Sequence, residues 1–334
     1  MAAMTETGTR RRWASVEDLL GPAERRFFGS GYRRIGQSLR KLTFDATAEG
    51  RPLSAVAAVT YPRDWSRKRD DVILRPHLST IDALIFGARL AEHVIADRHR
   101  LSAVQRASAW LRRVEIKAGS RPDESGLDAL PAGATLLGAT AEDTEPGRLV
   151  STVECRVGAM TMRVEIDHDD TADGTAPAAG ADPAPTVYHD GYRLRTQALT
   201  SVELADDALS VRADAVVEAP ADAPAGTGLE SAYDPSVSLI DAFVVALQLG
   251  QVMLYRLDDF DRGTSNTLWM RKTVITTSSP HRPADRPYPV AARLADPMVV
   301  RARGGSWRTG EIVCDVAGVL VRCAVTHQLP TASA

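Results

Sequence analysis

The chain contains little cysteine, with three residues and no C-x-x-C spacing between any of them. An odd number without paired spacing argues against a disulfide framework or a zinc site. Cys155 and Cys314 fall inside apolar segments, where a free thiol packs as a small hydrophobe. We therefore expect a reducing compartment and no bound metal.

Long apolar runs are also missing. The most apolar stretch, residues 239–254, is interrupted by Asp241, Gln248 and Gln251, and it is shorter than the ~20 residues that cross a bilayer. The N-terminus carries Arg10–Arg12 without a following apolar region, so a signal peptide is not expected. These features predict a soluble, cytoplasmic protein without a membrane span.

A strong excess of one charge is absent as well. The net charge of −3 gives no support to a nucleic-acid partner, which favours a basic domain. The motifs G-x-x-x-x-G-K-[ST], G-x-S-x-G and H-E-x-x-H do not occur. Gly29 and Gly31 are followed by Gly36, which is the wrong spacing for a dinucleotide-binding loop, so no cofactor is expected.

What the chain does have is an internal duplication. Ser79–Ala83 (S-T-I-D-A) returns 159 residues later as Ser238–Ala242 (S-L-I-D-A). The same offset relates several further pairs: Leu90/Leu249, Trp110/Trp269, Arg112/Arg271, Cys155/Cys314, Arg163/Arg322 and His168/His327. Gly31–Arg33 returns as Gly191–Arg193 at an offset of 160. A constant offset indicates two copies of one unit, related by a pseudo-twofold axis.

Each copy has the same predicted order of elements: two strands, a loop, a long apolar helix, then three or four strands. The helices are predicted at about 78–97 and 237–256, and S-x-x-D capping boxes mark both starts. The second helix is apolar nearly all round, so it must be enclosed. These features predict an α+β tandem (double) hotdog fold. In it an antiparallel sheet wraps each central helix, and the two helices share one seam that holds an apolar tunnel.

The predicted boundaries follow from the repeat and from composition. Strands are expected at 39–45, 53–61, 110–118, 134–142, 149–157 and 160–167, and again at 198–204, 209–218, 269–277, 289–295, 298–304 and 311–326, the last a hairpin turning at 317–318. Copy one then spans 13–167 and copy two spans 187–328. Residues 168–186 have the composition of a flexible linker, and the ends, 1–12 and 329–334, are expected to be disordered.

Polar residues interrupt both helices at matching positions. Asp82 and its counterpart Asp241 either only cap their helices, or they also face the pocket between the copies as a base or as a holder of a substrate hydroxyl. Four further polar positions are candidates for substrate binding: Arg89, Glu92, Gln248 and Gln251.

The loop before each helix breaks the symmetry. Copy one has Arg75–Leu78 (R-P-H-L) where copy two has Asp234–Val237 (D-P-S-V). A histidine just before a helix N-terminus tends to stay neutral, as a general base requires. His77 is therefore either a base opposite Asp241, with Ser236 and Asp82 forming a degenerate second site, or a loop histidine without a catalytic role.

A repeated strand start carries tryptophan and arginine. Strand alternation places Arg112 beside Trp110, and Arg271 beside Trp269, on an inward face. An inward guanidinium needs a partner. The partner is either Asp82 and Asp241, respectively, or a substrate anion, to which a guanidinium fork is suited. Both tryptophans are candidate substrate-binding residues.

A basic stretch, Arg63–Arg69, occurs in copy one alone. It is either a solvated loop or a contact for an acidic acyl carrier protein or for coenzyme A phosphates, through Arg67, Lys68 and Arg69.

Several blocks carry a family resemblance: Phe27–Arg34 (F-F-G-S-G-Y-R-R), Tyr61–Ser66 (Y-P-x-x-W-S), Leu74–Ala83 (L-R-P-H-L-S-T-I-D-A) and Trp110–Arg113 (W-L-R-R). They resemble the avirulence D (AvrD) family over residues 16–328. Members of that family are linked to making syringolides, which are acylated, sugar-derived signals. The A-factor (γ-butyrolactone) synthases are similar in logic.

The resemblance implies an enzyme that joins a 3-oxoacyl thioester of acyl carrier protein or coenzyme A to a ketose such as xylulose. A carbon–carbon condensation would then close a syringolide- or butenolide-like ring. On the residues alone, His77 is the candidate base, Asp82 and Asp241 position sugar hydroxyls, and Arg112 and Arg271 stabilise enolate or oxyanion charge. A dehydratase, a thioesterase and a non-catalytic lipid-binding effector remain alternatives. The oligomeric state and the half that holds the active site stay open.

Overall fold

The computed structural model describes residues 10–62, 65, 75–142, 146–170, 187–220, 226–259, 268–284, 286–302 and 304–329. Its α-helices are α1 (Glu17–Leu20), α2 (Thr80–His99), α3 (Ala103–Ser108) and α4 (Leu239–Leu257). The two long helices begin two residues later than predicted. Both predicted capping boxes are confirmed, at Ser79 with Asp82 and at Ser238 with Asp241.

The described strands follow the predicted order within each copy. Copy one contributes β2 (Gly36–Phe44), β3 (Leu53–Thr60), β4 (Trp110–Lys117), β5 (Leu130–Ala141), β6 (Arg148–Val157) and β7 (Met160–Asp169). Copy two contributes β8 (Thr196–Ala205), β9 (Ser210–Glu218), β10 (Trp269–Thr277), β11 (Tyr288–Ala302), β12 (Gly305–Val316) and β13 (Val319–Gln328). One additional strand, β1 (Arg10–Ser15), precedes both sets.

These strands form one antiparallel sheet with the order β1-β8-β9-β11-β12-β13-β10-β4-β7-β6-β5-β3-β2. Apart from β1, the two halves of the sheet mirror each other about the central β10–β4 pair. Outward from β10 the order is β13, β12, β11, β9 and β8, and outward from β4 it is the equivalent strands β7, β6, β5, β3 and β2. Within that pair Val274 lies opposite Glu115, and these two positions are themselves 159 residues apart. The pseudo-twofold axis therefore passes between them, and the prediction of an antiparallel sheet is confirmed.

Each long helix lies against the strands of its own copy, with α2 on β5, β6 and β7, and α4 on β9, β11 and β12. The approach is close, because a Cβ added at Gly250 would collide with the side chain of Ile312. Helix α4 is long and apolar enough to cross a membrane, but 83% of its apolar window is buried within the described structure. Its apolar surface therefore belongs to the core.

Two strand predictions need correction. Residues 289–295 and 298–304 were expected to be separate strands, but β11 runs through both with a bulge between Ala295 and Met298. A bulge absorbs extra residues without breaking the pairing. The predicted strand pair 311–326 is longer, because β12 begins at Gly305. Its turn at Ala317–Gly318 lies where predicted, and both residues have positive φ, as a two-residue hairpin turn requires.

Some segments expected to be unstructured belong to the sheet. Arg10–Arg12 lie in β1, and His168 and Asp169 end β7. Backbone pairing stabilises both segments, and composition alone does not report such pairing. Leu329 donates its N–H to the carbonyl of Ser306. Residues 1–9, 171–186 and 330–334 lie outside the described residues.

The N-terminal segment of copy one crosses to copy two. Strand β1 pairs with β8. The Arg26 guanidinium donates to the Gln248 carbonyl oxygen on α4 at 2.6 Å, and the Phe28 ring meets the Phe243 ring edge-on at 6.1 Å. A sequence read copy by copy does not predict this exchange, because its partners lie about 185 to 222 residues apart.

Candidate functional site

The carboxylate of Asp82 is fully enclosed and accepts hydrogen bonds on both oxygens. Gln37 donates to Oδ1 at 2.7 Å. The hydroxyl of Tyr61 lies 3.0 Å from Oδ2, and both the backbone N–H and the hydroxyl of Ser79 donate to that same oxygen. Burial and the adjacent Asp82 raise the pKa of Tyr61, so its hydroxyl stays a donor. Among the described residues, therefore, the groups that hydrogen-bond to this carboxylate are all neutral.

The carboxylate of Asp241 has the same surroundings with one change. Gln197 donates to Oδ1 at 2.7 Å, and Ser238 donates twice to Oδ2. In place of a phenol, the guanidinium of Arg195 donates from Nε to Oδ2 at 2.9 Å. Arg195 is 5% exposed and Asp241 is 0% exposed, so copy two has a buried ion pair at the place where Asp82 of copy one meets the neutral phenol of Tyr61.

Tyr61 and Arg195 perform equivalent tasks from different positions. The Tyr61 hydroxyl lies 2.6 Å from the backbone carbonyl of His77 as well as near Asp82. The Arg195 guanidinium donates to the backbone carbonyl of Ser236 as well as to Asp241. His77 and Ser236 are counterparts in the repeat. In each copy, a single side chain therefore ties the residue before the helix to the carboxylate that caps the helix.

Each carboxylate is connected through a glutamine to a tyrosine of the other copy, and we call each of these chains of hydrogen bonds a relay. Tyr192 of copy two donates to the Gln37 carbonyl oxygen at 2.7 Å, and Tyr32 of copy one donates to the Gln197 carbonyl oxygen at 2.9 Å. The two phenol rings stack at 6.0 Å with an interplanar angle of 19°. Both tyrosines are 0% exposed, so each copy completes the polar network of the other.

His77 lies at the rim of this network, half-buried between tryptophans of both copies. Its ring is 6.2 Å from Trp65 and 5.5 Å from Trp269, centroid to centroid. Its Nδ1 lies 3.2 Å from the carbonyl of Arg75. A carbonyl only accepts, so Nδ1 carries the proton in the neutral ring and Nε2 keeps its lone pair. Within the described part of the chain, no side chain hydrogen-bonds to Nε2.

The sequence predicted that His77 lies opposite Asp241, and this arrangement stays a prediction. Within the described ranges, no hydrogen bond or ion pair joins the two residues. His77 is instead tied through Tyr61 to Asp82, the carboxylate of its own copy. Both carboxylates are 0% exposed and accept hydrogen bonds on both oxygens, and their predicted role toward substrate stays a prediction.

The predicted pairs of Arg112 with Asp82 and of Arg271 with Asp241 are wrong. Arg112 is paired with Glu142 and lies 3.5 Å from Asp167, while Arg271 is exposed. The register of β4 shifts between Leu111 and Arg113, and that of β10 shifts between Met270 and Lys272. Each arginine is therefore the extra residue of a bulge, which interrupts the alternation on which the inward assignment relied.

The two tryptophans have different surroundings. Trp110 is buried, with the Arg112 guanidinium 5.4 Å from its ring centroid. Trp269 is half-buried and lies against His77. Of the two tryptophans, Trp269 is therefore the one that lies beside the candidate base. Arg67, Lys68 and Arg69 lie outside the described residues.

Three of the four candidate substrate-binding residues on the helices are buried, and all four have partners within the protein. Glu92 accepts the backbone N–H of Leu229, from copy two, at 3.2 Å. Burial raises the pKa of Glu92 to about 7, although the charges of Arg106 and Arg89 oppose that change. Gln248 accepts from Arg26, and Gln251 makes a long 3.4 Å contact with Tyr255. Their substrate-binding role stays a prediction.

Arg89 and the adjacent His93 complete this polar face of α2. Arg89 is 2% exposed and lies 3.5 Å from the Gln37 backbone carbonyl. Burial, together with the charges of Arg89 and Arg106, lowers the pKa of His93 to about 4. These buried groups give this stretch of α2 a polar face, and the apolar tunnel expected along the helices stays a prediction.

Sequence reasoning missed Tyr61, Arg195, and the two glutamines Gln37 and Gln197. One signal was present: the glutamines share the offset of 160 that relates Gly31–Arg33 to Gly191–Arg193. A glutamine kept at the same position in both copies of a repeat indicates a role that the two copies share. Among the described residues, no group of three or more His, Cys, Asp or Glu side chains is placed to hold a metal ion.

A duplicated helix-and-strand unit on a single antiparallel sheet, with one polar site per copy, defines a fused two-copy α+β protein. The chain matches the family model of the Pseudomonas avirulence D protein (AvrD) over residues 11–330. Since this match spans nearly the whole chain, the protein belongs to the AvrD family. No curated protein matches the chain.

Solved structures similar to this chain include two thioesterase-related proteins and a dehydratase. The tesB protein of Mycobacterium avium subs paratuberculosis shares 9% identity over 87% of this chain and 96% of its own, with a TM-score of 0.38. The acyl-CoA thioesterase II of Mycobacterium marinum shares 10% over 74% and 92%, with a TM-score of 0.32. The MaoC-like dehydratase of Phytophthora capsici shares 9% over 68% and 73%, with a TM-score of 0.30. At TM-scores this low, none of these similarities assigns a function or a site.

Proposed function

We propose that this AvrD-family protein is a tandem hotdog enzyme that acts on acyl thioesters, with one active site at His77 in copy one. The observation that carries the proposal is the imidazole of His77. Its Nδ1 is oriented by a backbone carbonyl, and its ring lies between Trp65 and Trp269 at the start of a buried helix. That arrangement leaves Nε2 able to take a proton.

The proposed reaction joins a 3-oxoacyl thioester, carried by acyl carrier protein or coenzyme A, to a ketose such as xylulose. A sugar hydroxyl attacks the thioester carbonyl, and the carrier thiol leaves with a proton. Nε2 of His77 then removes a proton from the carbon between the two carbonyls. The resulting enolate carbon attacks the sugar ketone, whose oxygen takes up a proton as the ring closes. No oxidant or reductant is needed.

Copy two supports no second site of this kind. Ser236 stands where copy one has the histidine, and Arg195 donates a hydrogen bond to the Asp241 carboxylate. We assign Asp82 and Asp241 to structural positioning, because their oxygens are already bonded. Arg112 and Arg271 are assigned to stabilise the enolate or oxyanion from outside contact distance, since neither contacts His77 in the described chain.

The test is an assay of product formation and thiol release, with and without a ketose, for wild type, His77→Ala and Ser236→Ala. A positioned base contributes ~10²–10⁴-fold to rate, so His77→Ala should lose about that factor while Ser236→Ala retains activity. Full activity in a folded His77→Ala protein would refute the assignment. An equal rate of thiol release with and without the ketose would instead indicate a thioesterase.

A further inference from the structure

The copy-one relay runs from a residue of copy two to the proposed base. The Tyr192 hydroxyl donates to Oε1 of Gln37 at 2.7 Å, and Nε2 of Gln37 donates to Oδ1 of Asp82 at 2.7 Å. Tyr61 then connects the same carboxylate to the backbone carbonyl of His77. Four consecutive contacts of 3.0 Å or less therefore join Tyr192 to the His77 backbone.

The direction of these bonds is fixed by chemistry. Arg193 also donates to Oε1 of Gln37, at 3.0 Å, and a guanidinium has no acceptor. Oε1 must therefore face the Tyr192 side, which turns the amide nitrogen toward the Asp82 carboxylate. The orientation of Gln37 is therefore fixed, whereas the single proton of the Tyr61 hydroxyl has two acceptors in reach, the Asp82 carboxylate and the His77 carbonyl. A buried network whose polar groups are all satisfied is rigid.

The copy-two relay has the same residue types but runs from copy one into copy two. Tyr32 donates to Oε1 of Gln197, and Gln197 donates to Oδ1 of Asp241. This relay is of the same type and length, and its rings share the same stack. It ends at Arg195 and the Ser236 carbonyl, where there is no imidazole to position.

We propose that Tyr192, acting through Gln37, Asp82 and Tyr61, is a positioning residue for His77. The proposal rests on the proposed function of His77. Loss of the Tyr192 hydroxyl removes the shorter of the two hydrogen bonds to Oε1 of Gln37 and leaves the longer one from Arg193. The first link of the chain is weakened, so the His77 backbone gains freedom. Misplacement of a reacting group by about 1 Å costs as much as 10²-fold in rate. The fused copy thereby serves catalysis in the first copy without touching substrate.

The experiment compares Tyr192→Phe with Tyr32→Phe in the full-length protein. Phenylalanine keeps the ring stack in both variants, and each variant loses one buried hydroxyl bonded to a glutamine. The expected result is a fall in kcat of about 10-fold for Tyr192→Phe, on the scale of a sub-ångström misplacement, with KM unchanged. Tyr32→Phe should retain kcat within about 2-fold, and the two variants should show similar losses in Tm.

A second matched pair covers the case in which a tyrosine variant fails to fold. Gln37→Leu should lower kcat further than Tyr192→Phe, while Gln197→Leu should not. The His77 imidazole NMR signals, followed over pH, should shift in the Tyr192 and Gln37 variants only. A purely structural role would move both members of each pair equally.

Equal losses of kcat in matched variants, or no loss in any of them, would overturn the inference. The outcome for His77→Ala separates the two proposals. If that variant is inactive while the matched pairs behave alike, only the positioning role fails. If the His77→Ala variant is active, both the assignment of His77 as the base and the positioning role of Tyr192 fail.

Discussion

In each copy one side chain connects the aspartate that caps the long helix to the loop before that helix, and this side chain differs in charge between the two copies. Copy one uses the neutral phenol of Tyr61, and copy two uses the guanidinium of Arg195. The guanidinium neutralises Asp241 in place and closes its site. The phenol satisfies Asp82 without adding a charge beneath His77. The same frame therefore supports either a closed ion pair or an imidazole with a free nitrogen.

The largest expected effect comes from removing these two bridges. Arg195→Met leaves the enclosed Asp241 carboxylate without its cation, which should cost about 3–5 kcal/mol of unfolding free energy. Tyr61→Phe removes the one hydroxyl that contacts both Asp82 and the His77 carbonyl and should cost about 1–3 kcal/mol. Urea unfolding of both variants measures the difference. The double variant Arg195→Met/Asp241→Asn should recover part of the loss, and equal losses in the two single variants would remove the contrast between the copies.

A second comparison concerns Glu92 and its counterpart Gln251. Burial raises the pKa of Glu92 to about 7 from the 4.5 of a free side chain. The folded state therefore binds its proton more tightly than the unfolded state does. The stability that this provides is complete below pH 4.5 and is lost as pH rises through 7.

Glu92→Gln should accordingly gain stability over wild type as pH rises, by up to about 3 kcal/mol between pH 4.5 and 8. Chemical unfolding at several pH values measures the gain. The reverse change, Gln251→Glu, should make copy two lose stability in the same pH direction. A constant difference between Glu92→Gln and wild type across this window would contradict the buried-carboxyl assignment.

The smallest effect is expected at the two bulges. Arg112→Ala removes a partly buried cation from Glu142 and Asp167 and should cost about 1 kcal/mol. Arg271→Ala changes an exposed side chain and should stay within about 0.5 kcal/mol of wild type. Thermal unfolding compares them. A larger loss for Arg271→Ala would show that its bulge is more than a surface feature.

Local patterns in the sequence were enough for much of the fold. The capping boxes at Ser79 and Ser238 involve residues three positions apart, and the antiparallel sheet follows from alternation and the repeat. The bulges at Arg112 and Arg271 could not be predicted, since one extra residue per strand leaves no mark in the composition.

The candidate site was only partly within reach of the sequence. His77 stood out because it breaks the symmetry of the repeat. Its connection to Asp82 depends on Tyr61, which the repeat does not flag because copy two has alanine at the corresponding strand end. The partners of Tyr32 and Tyr192 lie some 160 residues away, so only folding brings them together.

The position of the pseudo-twofold axis has one further consequence. In a dimer of identical chains, a residue on the axis meets itself, so a glutamate there would face a glutamate. Here Glu115 faces Val274, and its carboxylate is shared by Arg113, Lys117 and Lys272. Joining both halves in one polypeptide lets a single substitution appear once instead of twice. That freedom at the centre of the sheet is the same freedom that permits one half to keep a histidine and the other to lose it.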